Sequence, residues 1–355
     1  MRIPLSGDGT WVLTAFLLAS TPLYSVSESD KKRIMKDLSS EEPDKQMQAR
    51  QELKSYGFRE VADALEDYFR DPDPQMRILT VQMLGDLGGI ESWKILKKLY
   101  RKEKEGSVRR AILIRLSGIL PDDIGSVDFF CRAALKDHDP DTRLIALNQA
   151  SLFTRNDVVN DELKSVSWKV LRKDNARANR VLASIILREF GEKSRKISEF
   201  VLEGLKSTTA EVRRRAALVV RSAKGPEAIQ ILQNAAQDPD SEVRANLCKS
   251  LGEIKEKATI PILGILAQDQ DPQVRRNSVS ALSSFSEEDV TLNPFFSALK
   301  DRDPSIRLVA VGALERYGDP AALTVLEKTS QEDPDTSVRT LAKKALVTLG
   351  TAKQK

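Results

Sequence analysis

The stretch DPDSEVRANLCKSLG, residues 238–252, decides the fold because close copies of it recur along the chain. Clear copies begin at residues 71, 137, 269, 301 and 333, weaker ones at 103, 174 and 207, and a divergent one at 43. Apart from the divergent copy, all carry an arginine at their seventh position, and successive arginines are about 33 residues apart, the period of stacked helical hairpins. These arginines are Arg77, Arg109, Arg143, Arg180, Arg213, Arg244, Arg275, Arg307 and Arg339.

The apolar residues of each copy fall at steps of four. In the quoted stretch they are Val243, Leu247 and Leu251, and residues four apart lie along one stripe of an α-helix. Aspartate can accept hydrogen bonds from the first backbone N–H groups of a helix, and proline suits the first turn. We therefore predict a helix-capping role for the aspartate six positions before the arginine, which is Asp71, Asp137, Asp174, Asp238, Asp269, Asp301 or Asp333.

A second amphipathic run precedes each phrase, for example PEAIQILQNAAQ at 226 and ATIPILGILAQ at 258. Two helices per unit predict an all-α fold of about ten stacked helical hairpins. The phrase, with its D-x-D-x-x-V-R form, resembles the HEAT-like repeats of phycobilisome lyases, and the resemblance covers roughly residues 44–350. It implies a right-handed α-solenoid of about ten HEAT-like helical hairpins. It implies an architecture, and it implies a function only weakly because one fold hosts many functions.

The repeated arginine stands at the turn between the two helices of a hairpin. From there it can form an ion pair with an aspartate of the adjacent repeat, which predicts a ladder of pairs along the stack. We expect these pairs to be exposed to solvent, where each contributes at most about 1 kcal/mol to stability. We therefore expect the ladder to set the register between repeats rather than to carry the function.

The N-terminal residues have a different composition. WVLTAFLLA, residues 11–19, is apolar but shorter than the roughly 20 residues that span a bilayer. Together with Arg2 it matches a secretory signal, although Asp8 offsets the charge of Arg2. We predict a signal peptide at 1–27, the repeat solenoid at 28–350 and a polar tail at 351–355, with export to the periplasm or the medium. Alternatively, the apolar run is a first helix of the fold and the protein is cytoplasmic.

The sequence contains no candidate catalytic, cofactor-binding or metal-binding residue. The single histidine, His138, falls in a turn column that also holds Pro72, Gln270 and Arg302, so we expect an exposed loop residue. A lone histidine excludes the paired His-Glu metal sites of the HEAT-repeat hydroxylases that modify a translation factor. None of the common metal, nucleophile or phosphate-loop motifs occurs. We therefore predict a protein that is not an enzyme and has no cofactor.

Function is expected where the repeats differ. On the second helix, the positions one, five and eight after the arginine point away from the apolar stripe, toward the side that lines the concave surface of HEAT-like stacks. Aliphatic residues beside arginines there suit protein recognition. The predicted partner-binding residues are Arg110, Ile114, Val181, Ile185, Arg188, Arg214, Leu218 and Arg221. The alternative is that these aliphatic residues pack on neighbouring repeats.

Charge points to the same part of the chain. Residues 169–224 hold 15 basic and 6 acidic residues, a net charge of +9, whereas the whole chain carries +4. A basic middle favours an acidic partner, although a solvated helix face would have the same composition.

Three function classes remain. The first is an exported scaffold that binds an acidic protein through a basic and aliphatic groove. The second is a nucleic-acid binder like the HEAT-like DNA glycosylases, which the scarcity of aromatic residues in the groove disfavours. The third, implied by the resemblance alone, is a bilin-lyase-like maturation factor.

Overall fold

The computed structural model describes residues 26–119, 124–153, 157–221, 225–286 and 288–352. Most of the predicted signal peptide, residues 1–25, therefore lies outside the described residues. Within them the chain is all-α, as predicted, with no strand. The chain divides into two compact units, unit 1 with residues 1–130 and unit 2 with residues 131–355.

The helices of unit 1 alternate between first and second helices of hairpins. They are α1 (Glu28–Leu38), α2 (Pro43–Ser55), α3 (Phe58–Leu65), α4 (Pro74–Leu87), α5 (Gly89–Tyr100), α6 (Gly106–Ile119) and α7 (Ile124–Lys136), whose last turns belong to unit 2. A 3-10 helix, Asp67–Arg70, precedes α4. Second helices α4 and α6 pack against each other, so consecutive hairpins share a core.

Unit 2 continues the alternation to the end of the described chain. Its helices are α8 (Pro140–Ser151), α9 (Asp157–Lys173), α10 (Arg177–Glu189), α11 (Arg195–Gly204), α12 (Ala210–Val219), α13 (Pro226–Ala235), α14 (Ser241–Ile254), α15 (Ile260–Leu266), α16 (Pro272–Leu282), α17 (Asn293–Ala298), α18 (Pro304–Tyr317), α19 (Leu323–Glu332) and α20 (Thr336–Ala352). Short 3-10 helices, Lys257–Thr259 and Pro320–Ala322, precede α15 and α19. The described residues thus hold ten consecutive helix pairs, as the period predicts.

The predicted apolar stripe faces the core of unit 2. Val243, Leu247 and Leu251 of α14 are fully buried. Successive second helices pack side by side, with α14 between α12 and α16, and α18 between α16 and α20. Each second helix therefore buries its stripe against its own first helix and its neighbours, which is why a single repeat would not be stable alone.

The helix caps differ from the prediction. The N-cap is the second aspartate of the phrase, four positions before the arginine, because its carboxylate reaches the N–H groups of the first turn. These capping residues are Asp73, Asp139, Asp240, Asp271 and Asp303. The first aspartate instead accepts the backbone N–H of that second aspartate; the distance from Asp269 Oδ1 to the Asp271 nitrogen is 2.8 Å.

The first aspartate also completes the predicted ladder of ion pairs. The Nε and Nη2 groups of Arg307 donate to the two carboxylate oxygens of Asp333, both at 2.8 Å, while Nη1 donates to the carbonyl oxygen of Asp301 at 2.9 Å. The same bidentate pairing joins Arg143 to Asp174, Arg213 to Asp238, Arg244 to Asp269 and Arg275 to Asp301 in unit 2, and Arg77 to Glu103 in unit 1. We call each of these pairs a rung.

The rungs are buried, so the expectation of solvent-exposed pairs is wrong. Their side chains are only 5–15% exposed, because each rung lies in the turn region between two packed hairpins. Burial alone would raise the pKa of Asp333, but hydrogen bonds from Arg307 and from the Asp335 N–H lower it overall. Removing one partner of such a pair therefore costs more than breaking a surface ion pair.

Candidate functional site

In unit 1 the predicted partner-binding residues lie on one face of α6. Ile114 is 49% exposed, and Arg110, half-buried, precedes it by one helical turn. An arginine and an aliphatic side chain four residues apart occupy neighbouring positions on a helix surface. Ile114 is therefore accessible to solvent, and a binding role for the two residues stays a prediction.

Two of the residues predicted in unit 2 are in the wrong environment for binding a partner. Val181 and Ile185 of α10 are 5% and 0% exposed, because α11 approaches α10 closely at Gly204. A Cβ atom on Gly204 would lie 3.1 Å from Ile185 Cδ1 and 3.3 Å from Val181 Cγ1. These two side chains pack on the neighbouring repeat, which was the alternative interpretation, and they cannot line an accessible surface.

Arg188, also on α10, is half-buried. Its Nε donates to the carbonyl oxygen of Val219 at 3.4 Å and its Nη1 to that of Glu192 at 3.3 Å. Burial, followed by the positive charge of Arg221, lowers the pKa of Arg188. Arg188 therefore joins adjacent repeats, and the structure brings it near Arg221, another predicted site residue.

The remaining three predicted residues follow one another along and just beyond α12. Leu218 is 37% exposed and stands between Arg214 and Arg221 in the sequence. Arg214 pairs with Asp240 and Glu242, and Arg221 pairs with Glu253 at 2.9 Å. We call Arg214, Leu218 and Arg221 the α12 surface.

The acids of the α12 surface come from the next repeat. The hydrogen bond from Arg214 lowers the pKa of Asp240 to about 2, with further contributions from the Val243 and Glu242 N–H groups. Asp240 is also the N-cap of α14, so this carboxylate is held on both sides. Both arginines of the α12 surface thus already have a counterion.

Because of such ion pairs, the net charge of +9 counted over residues 169–224 overstates the charge of this part of the folded protein. Arg213, Arg214 and Arg221 are paired with acids that lie beyond residue 224 in the sequence. A count over a sequence window misses these partners because they belong to the next hairpin. The exposed basic residues Lys169 and Lys173 of α9 line a cavity of about 480 Å³ together with Arg143, whose charge is balanced by Asp174.

No catalytic arrangement emerges from the part of the chain that the structure describes. His138 is exposed in its turn, as predicted. No group of three or more histidine, cysteine, aspartate or glutamate side chains there could hold a metal ion. None of the helices in the described ranges combines the length and apolar character needed to cross a bilayer.

The structure adds one residue that sequence reasoning missed, the ladder arginine Arg180 of α10. Its rung has no acid, because Ser207 occupies the place of the first aspartate. The Arg180 Nε is buried without a hydrogen-bond acceptor among the described residues, and the guanidinium lies 5.4 Å from the ring centroid of Phe200. The sequence signal was present: the phrase at 207 begins STT where the clear copies begin with aspartate.

The helical-hairpin architecture agrees with the protein family that the sequence matches. The family model for HEAT repeats matches residues 32–117, 198–268 and 263–347, more than half of the chain. The chain belongs to the HEAT-repeat family. No curated protein sequence matches this HEAT-repeat chain.

Three solved structures are similar to this HEAT-repeat protein at low sequence identity. An engineered protein is 18% identical with a TM-score of 0.53, covering 90% of this chain and 99% of its own. YibA of Escherichia coli is 18% identical with a TM-score of 0.44, covering 87% and 99%. Human deoxyhypusine hydroxylase in complex with glycerol is 17% identical with a TM-score of 0.33, covering 73% and 96%.

Proposed function

We propose that this HEAT-repeat protein is a non-enzymatic scaffold that binds other proteins. The observation that carries the proposal is the same arrangement in both units, an exposed aliphatic side chain one turn after an arginine on a second helix: Ile114 after Arg110, and Leu218 after Arg214. Arginine beside apolar side chains is typical of protein interfaces. The residues that define the repeat are buried, so these side chains are free to differ between repeats.

We further propose that the partner is acidic where it meets the α12 surface. The counterions of Arg214 and Arg221 include the exposed residues Glu242 and Glu253. Surface pairs of this kind contribute at most about 1 kcal/mol, so a partner carboxylate can replace them at little cost. Asp240, held by both Arg214 and α14, would stay in place.

We propose export to the periplasm or the medium on the basis of the apolar run at 11–19 and Arg2. N-terminal sequencing of the protein from its native cells tests this directly. A mature N-terminus near Val26 or Glu28 in an envelope or extracellular fraction is the expected result. An intact Met1 in the cytoplasm would contradict export and would bring intracellular partners into consideration.

The test of the scaffold proposal is site-specific photo-crosslinking in native cells, with the cross-linking residue at Ile114 or at Leu218. The matched control is Ile265 of α15, an aliphatic residue that is 66% exposed on a first helix. We expect a defined protein adduct from position 114 or 218 that is absent from position 265. Equal adducts at all three positions, or none at 114 and 218, would contradict the proposed surfaces.

Nucleic-acid binding is the second candidate, supported by the exposed Lys169 and Lys173 in a cavity that Asp137 and the pair of Arg143 with Asp174 also line. Phosphate-driven binding to DNA or RNA must weaken steeply between low and moderate salt.

The phycobilisome-lyase type of repeat, and with it a bilin-lyase-like role, rests on phrases such as DQDPQVR at 269. Incubation with a bilin and an apo-phycobiliprotein would reveal that activity as covalent pigment attachment.

A further inference from the structure

The rung of Arg180 lacks only its carboxylate. At the intact rung of Arg244, Asp269 Oδ1 accepts the N–H two residues on, and Arg275 Nη1 donates to the Asp269 carbonyl oxygen at 2.9 Å. At the rung of Arg180, Ser207 Oγ accepts the Thr209 N–H at 3.2 Å, and Arg213 Nη1 donates to the Ser207 carbonyl oxygen at 2.9 Å. The two turns therefore have the same geometry, and serine replaces the acid.

Among the described residues, the guanidinium of Arg180 has no carboxylate partner, whereas the guanidinium of each complete rung has one. In unit 2 the arginine of each complete rung binds a carboxylate through Nε and Nη2. These arginines are Arg143, Arg213, Arg244, Arg275 and Arg307. Arg180 Nε is buried and meets no acceptor in the described chain, and the ring of Phe200 lies beside the guanidinium. A half-buried arginine with unused donors favours a ligand that carries two acceptor oxygens.

A groove of about 660 Å³ adjoins this position between the first helices α11 and α13. Phe200, which contacts Arg180, also lines the groove, and Ala228 and Ile231 add apolar surface. Lys206 at its edge is exposed, whereas Arg177 and Arg195 of the lining are paired with Glu203 and Glu199. The lining also holds the exposed Glu227, so the groove combines an apolar patch with charged side chains of both signs next to the empty rung.

We propose that Arg180 binds a carboxylate from an acidic peptide segment of a partner protein, and that the segment follows the groove between α11 and α13. The choice of carboxylate rests on the chain itself, because every complete rung of unit 2 fills the same arginine position with one. The glutamates of the lining, Glu199, Glu203 and Glu227, oppose the phosphates of a nucleic acid strand, whereas a peptide can present a single carboxylate at Arg180. The inference rests on the proposed scaffold function, but it assigns a site separate from the α12 surface.

The first experiment supplies the carboxylate from within the full-length chain. Ser207→Asp should complete the rung and raise the Tm by about 1–2 °C, the shift expected for one added ion pair in a chain of 355 residues. Arg180→Gln is the second arm, and in its background Ser207→Asp should give no gain. An equal gain in both backgrounds, or a loss of stability with Arg180 present, would overturn the assignment.

The second experiment supplies the carboxylate from outside. The probe is the blocked peptide AAQDPDSEV, residues 235–243, whose Asp238 fills an intact rung, and the control peptide carries Asp238→Asn. In the full-length protein labelled with ¹⁵N-arginine, millimolar peptide should shift the Nε–H signal that Arg180→Gln removes. The Asn peptide should shift it about threefold less, and Ser207→Asp should abolish the shift.

Equal shifts from the two peptides, or a shift that persists in Ser207→Asp, would overturn the proposal. If a dT10 strand shifts the Arg180 signal and the peptide does not, the peptide proposal is wrong and the ligand of Arg180 is a nucleic acid. These results are independent of the cross-linking at Leu218. Loss of the adducts with retained peptide binding would refute the α12 surface alone, and the reverse outcome would refute the Arg180 site alone.

Discussion

Two regions of unit 2 use the same turn in different ways. From Arg213 to Asp333 every rung is complete, with a buried guanidinium held by a carboxylate of the next hairpin. At Arg180 the turn is the same but the acid is absent and an aromatic ring lies beside the guanidinium. The complete rungs explain how the hairpins keep their register. The rung of Arg180 lacks the carboxylate that stabilises the other rungs. It is therefore the position in the ladder where we look for a binding role.

The largest expected difference between the two regions is in the cost of deleting the arginine. Arg307→Ala leaves the carboxylate of Asp333 buried and unpaired, so the free energy of unfolding should fall by about 3–5 kcal/mol. Arg180→Ala removes a guanidinium that has no acid, and the loss should stay below about 1 kcal/mol. Urea unfolding followed by circular dichroism measures both variants.

A double variant separates the charge from the packing at the Arg307 rung. Replacing both partners, as Arg307→Met with Asp333→Leu, should recover most of the lost stability because no buried charge remains. If Arg307→Ala and Arg180→Ala proved equally costly, the distinction between complete and incomplete rungs would have no energetic basis.

The second prediction concerns packing around the incomplete rung, which is tight although the ion pair is missing. A methyl group at Gly204 would lie 2.9 Å from the Cβ of Ala216 and 3.1 Å from Ile185 Cδ1. Gly204→Ala should therefore cost about 1–3 kcal/mol through overpacking. Gly312→Ala, in α18 with no atom within 4 Å of the added methyl group, should be neutral or stabilise by up to about 1 kcal/mol. Thermal unfolding that ranked the two variants in the opposite order would contradict this packing.

The sequence predicted the repeat, the number of hairpins and a ladder of ion pairs between adjacent repeats, because all three depend on a period that recurs in nine copies. It did not predict the surroundings of α10. A helical stripe assumes one buried side, but residues 181–187 are all buried since α10 packs against α8, α9, α11 and α12. The unbroken run VLASIIL was the available signal, since a helix that is apolar all round is buried. The net charge of segment 169–224 is likewise balanced in part by acids one repeat further along the chain, which a count over that segment does not include.

The smallest expected effect belongs to the helix cap Asp271, a role that the sequence-based prediction gave to Asp269, the first aspartate of the same turn. Asp271 caps α16 through the Gln273 N–H at 2.8 Å, so Asp271→Ala should cost about 1 kcal/mol. Asp269, two residues earlier, holds the buried Arg244 through two hydrogen bonds, and Asp269→Ala should cost several times more. Urea unfolding of the two variants side by side makes the comparison. A larger loss for Asp271→Ala would mean that the cap, and not the rung, is what the repeated aspartates chiefly provide.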